Sequence, residues 1–331
     1  MNSAGLISVV VPAHNESRGI GATLEEIRSV LASTGSPCEI IVVDDGSTDD
    51  TFSQVRLLMG RLEGLKAARL SRNFGKEAAI LAGLVLAKGE AVITIDADLQ
   101  HPPTVIPALL GQWHAGAKIV NAVKRTRKSD SVVTRARAAV FNTIMAKVAG
   151  IGLQNASDFK LLDRVVVDRL TRDFPERTRF YRGLTDWIGY PQAAVEFDVE
   201  PRRNGTSRWS LRGLIRLALT SIIGFTAAPL RIVTLLGGAT LLFGFALATD
   251  AVISWSRGRS VSGFATTIIA MSVIGSFIML SLGVIGEYLA RMFDELKRRP
   301  SFIVENLAGF EESEQRSAGE PGGNAERMIH R

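Results

Sequence analysis

The stretch that decides the fold is AVITIDADLQ at residues 91–100. Its first five residues, Ala91–Ile95, are apolar or β-branched without alternation, which predicts a short strand buried on both faces. Three polar residues follow at alternate positions: Asp96, Asp98 and Gln100. In parallel sheets ligands bind beyond the carboxyl ends of the strands. We therefore expect the chemistry of this chain to lie at such junctions.

Strand-like and helix-like patterns alternate on both sides of this stretch. The other predicted strands are Ile7–Val11, Glu39–Val43, Lys66–Leu70 and Lys118–Val123. The predicted helices are Glu16–Ser33, Asp49–Gly60, Lys76–Ala87, Pro103–Ala115 and Val132–Ala149. Strictly alternating elements predict an α/β domain with a mostly parallel, Rossmann-like sheet. The chain contains neither a P-loop motif nor a dinucleotide-binding glycine fingerprint, which argues against both of those sites.

The polar residues after the strands suggest a metal and a nucleotide. Asp96, Asp98 and Gln100 offer hard oxygen ligands, which suit Mg²⁺ or Mn²⁺. The alternative is a solvated turn, since an isolated Asp-x-Asp pattern is common. Asp44 and Asp45 follow the second strand and could accept hydrogen bonds from a base or a ribose hydroxyl. The alternative there is a turn that leads into a helix N-cap.

Two long segments carry no charged residue, 232–249 and 260–286. A bilayer core of ~30 Å needs about 20 helical residues, so both can cross a membrane. We predict spans at about 230–253 and 262–287 within a hairpin of residues 229–290. The alternative is two buried helices of a water-soluble protein.

Basic residues flank the hairpin on its outer sides and are rarer in its linker, where Arg257 and Arg259 occur. Positive charge tends to remain cytoplasmic, which predicts a multi-pass membrane protein with both termini, and therefore the N-terminal α/β domain, in the cytoplasm. Residues 209–228 combine apolar positions at helical spacing with Arg212 and Arg216, as an amphipathic helix at the interface does. An ordinary surface helix is the alternative. Residues 291–331 form the C-terminal segment, which we expect to be disordered from about 311.

Composition narrows the class further. The chain has 331 residues, a net charge of +6, one cysteine and four histidines, with a mean hydropathy of +0.17. Such a chain is too apolar to be disordered, and it lacks the cysteines of a disulfide framework or zinc site. The basic run Lys124–Arg137 could be a solvated face or a contact for phosphate and anionic lipid. No nucleic-acid-binding module accompanies it, so we expect no nucleic-acid partner.

Eight motifs, in order, resemble a known family. VVPAHNE, VVDDGSTDDT, SRNFGKEAAILAGL and DADLQHPP resemble the GT-A domain of glycosyltransferase family 2. SDFKLLDR, RFYRGLTDWIGY, RRNGTSRW and GEYLARMFDELKRRPSFIV resemble its polyprenyl-phosphate glycosyltransferases. The resemblance implies a GT-A domain over residues 1–208, followed by the interface helix and the hairpin. It also implies an inverting transfer of a sugar from a nucleotide to a polyprenyl phosphate such as undecaprenyl phosphate.

The resemblance also implies roles for individual residues. Nucleotide-sugar contacts are expected from Pro12, His14, Glu16, Asp44, Asp45, Lys76, Asp96, Ala97, Arg202 and Arg208. Acceptor-phosphate contacts are expected from Lys124, Arg127 and Arg135. Asp98 and Gln100 are the expected metal ligands, and Asp98 and Asp158 the expected catalytic residues. A phosphate monoester is already mostly ionised at pH 7, because its second pKa is about 6. We therefore expect Asp158 to orient a group more than to abstract a proton. Asp163 lies in the same stretch, and we expect it to pair locally with Arg164 or Arg169.

The donor stays open at this level. UDP-glucose is the first candidate from the resemblance, with GDP-mannose and UDP-N-acetylhexosamines as alternatives. A homo-oligomer through the hairpin is expected. A processive polysaccharide synthase would carry a QxxRW motif and more spans, and neither is found. A non-catalytic membrane scaffold is the alternative from another class, and the presence of Asp96, Asp98 and Asp158 argues against it.

Overall fold

The computed structural model describes residues 5–98, 100–124, 157–174, 176, 179–197, 228–258 and 263–311. The chain divides into two units. The first combines Met1–Trp209 with Pro300–Arg331, and the second is Ser210–Arg299. The C-terminal segment predicted at 291–331 therefore begins in the second unit, and its residues from Pro300 onward belong to the first.

The first unit is built on a mixed sheet of eight strands among the described residues. The strands are β1 (Ile7–Ala13), β2 (Cys38–Asp44), β3 (Leu65–Leu70), β4 (Ala91–Thr94), β5 (Ile119–Lys124), β6 (Lys160–Asp163), β7 (Gln192–Phe197) and β8 (Val304–Ala308). Their order across the sheet is β7-β5-β6-β4-β1-β2-β3-β8. Only the pairs that involve β6 or β8 are antiparallel. The predicted mostly parallel α/β sheet is therefore confirmed.

Six helices are described in this unit; the first four correspond to predicted helices, and the last two were not predicted. They are α1 (Ile20–Ser33), α2 (Thr51–Leu58), α3 (Lys76–Leu86), α4 (Ile106–His114), α5 (Arg164–Arg172) and α6 (Tyr181–Trp187). A 3₁₀ turn at Pro103–Val105 leads into α4. The first helix begins four residues later than predicted, because residues 17–19 form a turn before it. The predicted helix at Val132–Ala149 lies outside the described residues.

Burial explains why the strands lack alternation. Every residue of β1 is buried, and helices cover both faces of the strand. Val9 and Val11 join the cluster that contains Ile20 and Leu24 of α1, while Val10 lies against α3 on the other face. Full burial of each such side chain contributes about 1.5–3 kcal/mol. The sheet is thus held rigidly beneath its carboxyl edge.

Three strands were not predicted: the antiparallel β6 and β8, and β7, which pairs in parallel with β5. β6 lies between β4 and β5, with Lys160 opposite Thr94. Because β6 runs against its neighbours, its first residues lie at the carboxyl edge of the parallel strands. β8 pairs with the edge strand β3, and the Ser71 amide donates to the Ile303 carbonyl at 2.9 Å.

The second unit contains α7 (Ala228–Ser256) and α8 (Phe264–Leu296). Within them Pro229–Ser254 and Thr267–Leu296 are long and apolar enough to cross a membrane, and neither is buried by protein. They overlap the predicted spans and suggest membrane association. The predicted interface helix lies outside the described residues except for Ala228, which begins α7. The tail predicted to be disordered is outside them from residue 312 onward.

Candidate active site

A cleft of about 360 Å³ lies at the carboxyl edge of the sheet. It is lined by eight of the predicted nucleotide-sugar and metal residues: Pro12, His14, Glu16, Asp45, Lys76, Asp96, Ala97 and Asp98. Ala13, Asn73, Gly75 and Ala79 also line it and were not predicted. Of these, Asn73 follows the third strand, so the rule that found the others would have found it too.

Asp45 fixes the loop after β3. Its Oδ1 accepts the Phe74 amide at 2.7 Å and its Oδ2 accepts the Gly75 amide at 2.8 Å. The neighbouring Gly46 has a φ of +62°, a region that side chains other than glycine rarely occupy. A Cβ there would stand 2.4 Å from the Arg72 carbonyl carbon. The backbone at Gly46 therefore packs directly against the backbone at Arg72, beside the cleft.

His14 links both sides of this wall. Its Nδ1 lies 2.9 Å from the carbonyl oxygen of Asp45, and its Nε2 lies 3.0 Å from the Asn73 amide nitrogen. A carbonyl only accepts and an amide NH₂ only donates, so this pattern assigns the proton to Nδ1. The Asn15 amide lies 3.3 Å from the same Nε2. The imidazole is thus held in one orientation and one tautomer.

Asp44 lies in the packed interior instead of on the cleft wall. Its side chain is buried, its Oδ1 accepts the Ser47 amide at 3.1 Å, and Arg69 approaches Oδ2 at 3.7 Å. Burial raises the pKa of this carboxyl above its ordinary value. The turn considered as the alternative describes these contacts, and a nucleotide contact from Asp44 remains a prediction.

Lys76 joins the cleft to Asp158. Its Nζ lies 2.6 Å from Asp96 Oδ1 and 2.7 Å from Asp158 Oδ2. Asp158 also receives two hydrogen bonds from Arg182, from Nε at 2.7 Å and from Nη2 at 2.8 Å. Burial alone would raise the pKa of Asp158, but Arg182 and Lys76 outweigh it and hold the pKa well below its usual range. Asp158 is therefore a carboxylate whose lone pairs are largely engaged.

Arg182 is a functional candidate that the sequence did not reveal. It lies on α6, 24 residues from its partner, and follows no predicted strand. Two ionisable side chains, Glu77 and Lys160, lie beside α6. Burial raises the pKa of Glu77 to about 7 and lowers the pKa of Lys160 to about 7.

The position of Asp98 shows whether the cleft suits a divalent metal ion. Asp98 lines the cleft two residues after Asp96, and its Oδ1 accepts the Gln100 amide at 3.1 Å. The described part of the chain contains no group of three or more histidine, cysteine and acidic side chains that could hold a metal alone. Mg²⁺ is usually held by one or two carboxylates together with substrate phosphates. Asp98 therefore fits a metal that is completed by a diphosphate.

The other predicted residues have mixed placements. Lys124 is exposed at the end of β5 and does not line the cleft. The arginines expected to contact phosphates lie outside the described residues: Arg127, Arg135, Arg202 and Arg208. The expectation that Asp163 pairs with Arg164 or Arg169 is wrong. Asp163 accepts from Trp113 at 2.8 Å and Lys118 at 2.9 Å, and the Val165 amide donates to its Oδ1.

Fold and site together define a glycosyltransferase of the GT-A class, in which an Asp-x-Asp pair follows a central strand. The family model described as glycosyl transferase family 2 matches residues 8–180, and the chain belongs to this family. The uncharacterized glycosyltransferase sll0501 of Synechocystis sp. is 39% identical over 307 residues, which cover 92% of this chain and 96% of the relative. The bactoprenol glucosyl transferase of Shigella phage SfV is 34% identical over 305 residues, with 91% and 98% covered.

A solved structure with partial similarity to this chain is glucosyl-3-phosphoglycerate synthase from Mycobacterium tuberculosis in complex with Mn²⁺ and UDP-glucose. It aligns with a TM-score of 0.46 and 23% identity, and the alignment covers 66% of this chain and 77% of that chain.

Proposed function

We propose that this glycosyltransferase moves a hexose from a nucleotide sugar to a polyprenyl phosphate, with UDP-glucose as the first candidate donor. The observation that carries the proposal is the cleft in which Asp96, Asp98 and Lys76 meet at the carboxyl edge. Relatives named bactoprenol glucosyl transferase match nine-tenths of the chain, which favours a polyprenyl acceptor.

The chemistry is a single displacement. A phosphate oxygen of the acceptor attacks the anomeric carbon, the bond from that carbon to the diphosphate breaks, and the configuration inverts. Negative charge grows on the departing nucleotide. Asp98 and Gln100 would hold Mg²⁺ or Mn²⁺, which supplies charge neutralisation to the diphosphate when bound. Preorganised charge of this kind is usually the largest catalytic contribution.

The chain's own residues complete the site. Pro12, His14, Glu16, Asp45 and Ala97 would line the nucleoside and sugar. Lys76 would approach the donor, and Arg202 and Arg208 would gather its phosphates. Lys124, Arg127 and Arg135 would contact the acceptor phosphate. Asp158 accepts hydrogen bonds from two cationic side chains, which supports a role in orientation more than in proton abstraction.

The hairpin would anchor the enzyme in the membrane that contains its lipid substrate. We propose that α7 and α8 cross the inner membrane, that the termini and the first unit are cytoplasmic, and that the hairpin mediates a homo-oligomer. One contact supports an even number of crossings. Because β8 pairs with β3, the residues after α8 belong to the same folded unit as those before α7. A folded unit occupies one side of a bilayer.

A donor screen tests the proposal. Purified full-length protein in detergent is incubated with undecaprenyl phosphate, Mg²⁺ or Mn²⁺, and UDP-glucose, GDP-mannose or UDP-N-acetylglucosamine in turn. We expect release of UDP from UDP-glucose that depends on the lipid phosphate, together with a glycolipid of matching mass. Release of nucleotide from another donor would change the proposed sugar and leave the proposed class of enzyme, a polyprenyl-phosphate glycosyltransferase, unchanged. No release from any donor, with a protein that binds nucleotide, would favour a scaffold.

A further inference from the structure

Arg182 lies within the motif RFYRGLTDWIGY, but the resemblance assigned it no role. It holds Asp158 through a two-bond fork at 2.7 and 2.8 Å. Asp158 is 11% exposed and Arg182 is 42% exposed at their side chains. Lys76 holds the remaining side of the carboxylate and continues to Asp96 on the cleft wall. Three elements of the fold, α3, α6 and the start of β6, therefore converge on one carboxylate.

The helix that carries Arg182 is held from three directions. The Tyr181 amide donates to Glu77 Oε2 at 2.8 Å, and the Tyr181 hydroxyl lies 3.0 Å from Thr94 Oγ1. Lys160, which is fully buried, donates to Thr185 Oγ1 at 2.6 Å and lies over the Tyr181 ring. A side chain on so well supported an element is fixed in place, as groups near reacting atoms need to be.

The same supports reach the backbone of Asp158. Thr94 Oγ1 donates to the Asp158 carbonyl oxygen at 2.5 Å while it contacts Tyr181. Thr94 belongs to β4, whose chain continues directly into Asp96 and Asp98. The side chain of Asp158 is thus linked through Lys76, and its main chain through Thr94, to the strand that presents the Asp-x-Asp pair.

We propose that Arg182 is a positioning residue, which sets the carboxylate of Asp158 and, through Lys76, the distance from Asp158 to the donor side of the cleft. The proposal rests on the proposed function and names a further residue for the same reaction. Arg182 acts through Asp158 and does not contact substrate. The fork geometry is central, because a guanidinium matches both carboxylate oxygens whereas an ammonium acts as a point charge.

Several charged or titratable groups face Asp158 among the described residues. They are Lys76 and Glu77 from α3, Tyr181 and Arg182 from α6, Lys160 from β6, and Asp96 and His101 after β4. Burial opposes ionisation of Asp158, and Arg182 and Lys76 together lower its pKa. Loss of Arg182 removes one of these cations, so the pKa of Asp158 rises. If the reaction needs the ionised carboxylate, acidification should therefore inactivate the variant at a higher pH than wild type.

The test compares the steady-state kinetics of wild type, Arg182→Ala, Arg182→Lys and Asp158→Asn in the lipid-dependent assay, each as the full chain in detergent. Misplacement of a reacting group by about 1 Å costs about 100-fold in rate. We expect Arg182→Ala to lower kcat by that order with the KM for the nucleotide sugar nearly unchanged. Arg182→Lys should recover part of the loss, and the acid limb of Arg182→Ala should move to higher pH. In the double variant with Asp158→Asn, that limb should be absent and the two losses should not multiply.

Arg169→Gln is the matched control, because Arg169 also pairs with an aspartate, Asp173 at 2.9 Å, but does so on the exposed face of α5. It should leave all these quantities unchanged. A rise in the KM for the lipid with kcat retained would overturn the proposal and make Arg182 a direct acceptor ligand. Unchanged kinetics, or a loss without any shift of the acid limb, would also overturn it. If Arg182→Ala fails to fold, Arg182→Lys and its pH profile decide. A wild type inactive with every donor would refute the proposed function instead.

Discussion

The ammonium group of Lys76 lies 2.7 Å from Asp158 although 82 positions separate the two residues. The same nitrogen lies 2.6 Å from Asp96. One cation thus joins the Asp-x-Asp segment after β4 to the first residues before β6. The connection exists because β6 runs antiparallel to β4 and starts where β4 ends. Lys76 therefore links the Asp-x-Asp segment directly to Asp158.

Substitution Lys76→Met should lower kcat by about 10²–10³-fold, the cost typical of one lost charged donor in a preorganised site. Burial alone would raise the pKa of Asp158, and Lys76 is one of two cations that lower it. Its removal should therefore move the acid limb of the pH–rate profile upward. Lys76→Arg should retain more activity than Lys76→Met.

Lys118→Met is the control for that experiment. Lys118 is exposed to a similar extent, 40% against 42% for Lys76, and it pairs with Asp163 at 2.9 Å. That pair lies at the opposite edge of the sheet, where Asp163 is level with Ala91. The control should lose some stability and keep kcat. An equal loss of kcat in both variants would show that the effect of Lys76 is structural.

Metal dependence should follow Asp98. Chelation by EDTA should abolish transfer, and Mg²⁺ or Mn²⁺ should restore it, because hard divalent ions prefer carboxylate and phosphate oxygens. Asp98→Asn should raise the metal concentration for half-maximal activity and lower the maximal rate. Asp173→Asn, on an exposed carboxylate of α5, is the control. Full activity of Asp98→Asn in EDTA would remove this residue from the proposed metal site.

Gly46 supports the cleft wall by its lack of a side chain. Gly46→Ala would place a Cβ 2.4 Å from the Arg72 carbonyl carbon and 2.6 Å from the Asn73 backbone nitrogen, so the loop must shift. We expect a lower melting temperature and a higher KM for the nucleotide sugar, since Asn73 lines the cleft. Gly35→Ala separates the causes. It shares a positive φ, +68°, but a Cβ there meets nothing within 4 Å, so it should cost stability without changing KM.

The first five strands of the fold were predictable because they obey local rules. Apolar residues dominate β1, β2 and β4, and the residues just beyond the strands, such as His14, Asp45 and Asp98, line the cleft as expected. β6, β7 and β8 were missed because each is defined by partners far away in the chain. Nothing local in KLLD or VENLA distinguishes an added antiparallel strand from a loop.

The site residues that were missed also differ in whether a local rule or a distant partner places them in the site. Asn73 stands just beyond β3 and was accessible to the rule applied to its neighbours. Arg182 was not, because its role depends on a carboxylate that only β6 brings within reach. Asp163 shows the opposite error. Its adjacent arginines suggested a local pair, whereas Trp113 and Lys118 reach it through the fold.

Topology can be tested by cysteine labelling. In a Cys38→Ser background, Ser256→Cys marks the end of α7 and Glu311→Cys marks the segment after β8, and both positions are exposed. An impermeant maleimide added to intact spheroplasts should label the first and should reach the second only after permeabilisation. The expectation follows from the basic flanks and from the pairing of β8 with β3. Labelling of Glu311→Cys in intact cells would contradict it.

Acid should weaken the first unit through Glu39. This carboxyl is buried, accepts from Lys66 at 2.7 Å and Ser8 at 2.5 Å, and receives the Lys88 amide at 2.8 Å. Burial opposes ionisation, but these hydrogen bonds outweigh it and lower the pKa below its ordinary 4.5. A lowered pKa contributes stability that is present above about pH 4.5 and is lost as the pH falls through the folded-state value.

The measurement is the free energy of unfolding against pH by urea denaturation, for wild type and Lys66→Met. Removing one partner of a buried pair costs about 3–5 kcal/mol because the other charge stays uncompensated. The variant should therefore be less stable at pH 7, and its stability should fall less on acidification, since the pKa of Glu39 has moved back toward that of the unfolded chain. Arg56→Gln, on the exposed side of α2, should follow the wild-type curve. Parallel curves for Lys66→Met and wild type between pH 7 and pH 3 would show that Glu39 does not carry the acid sensitivity.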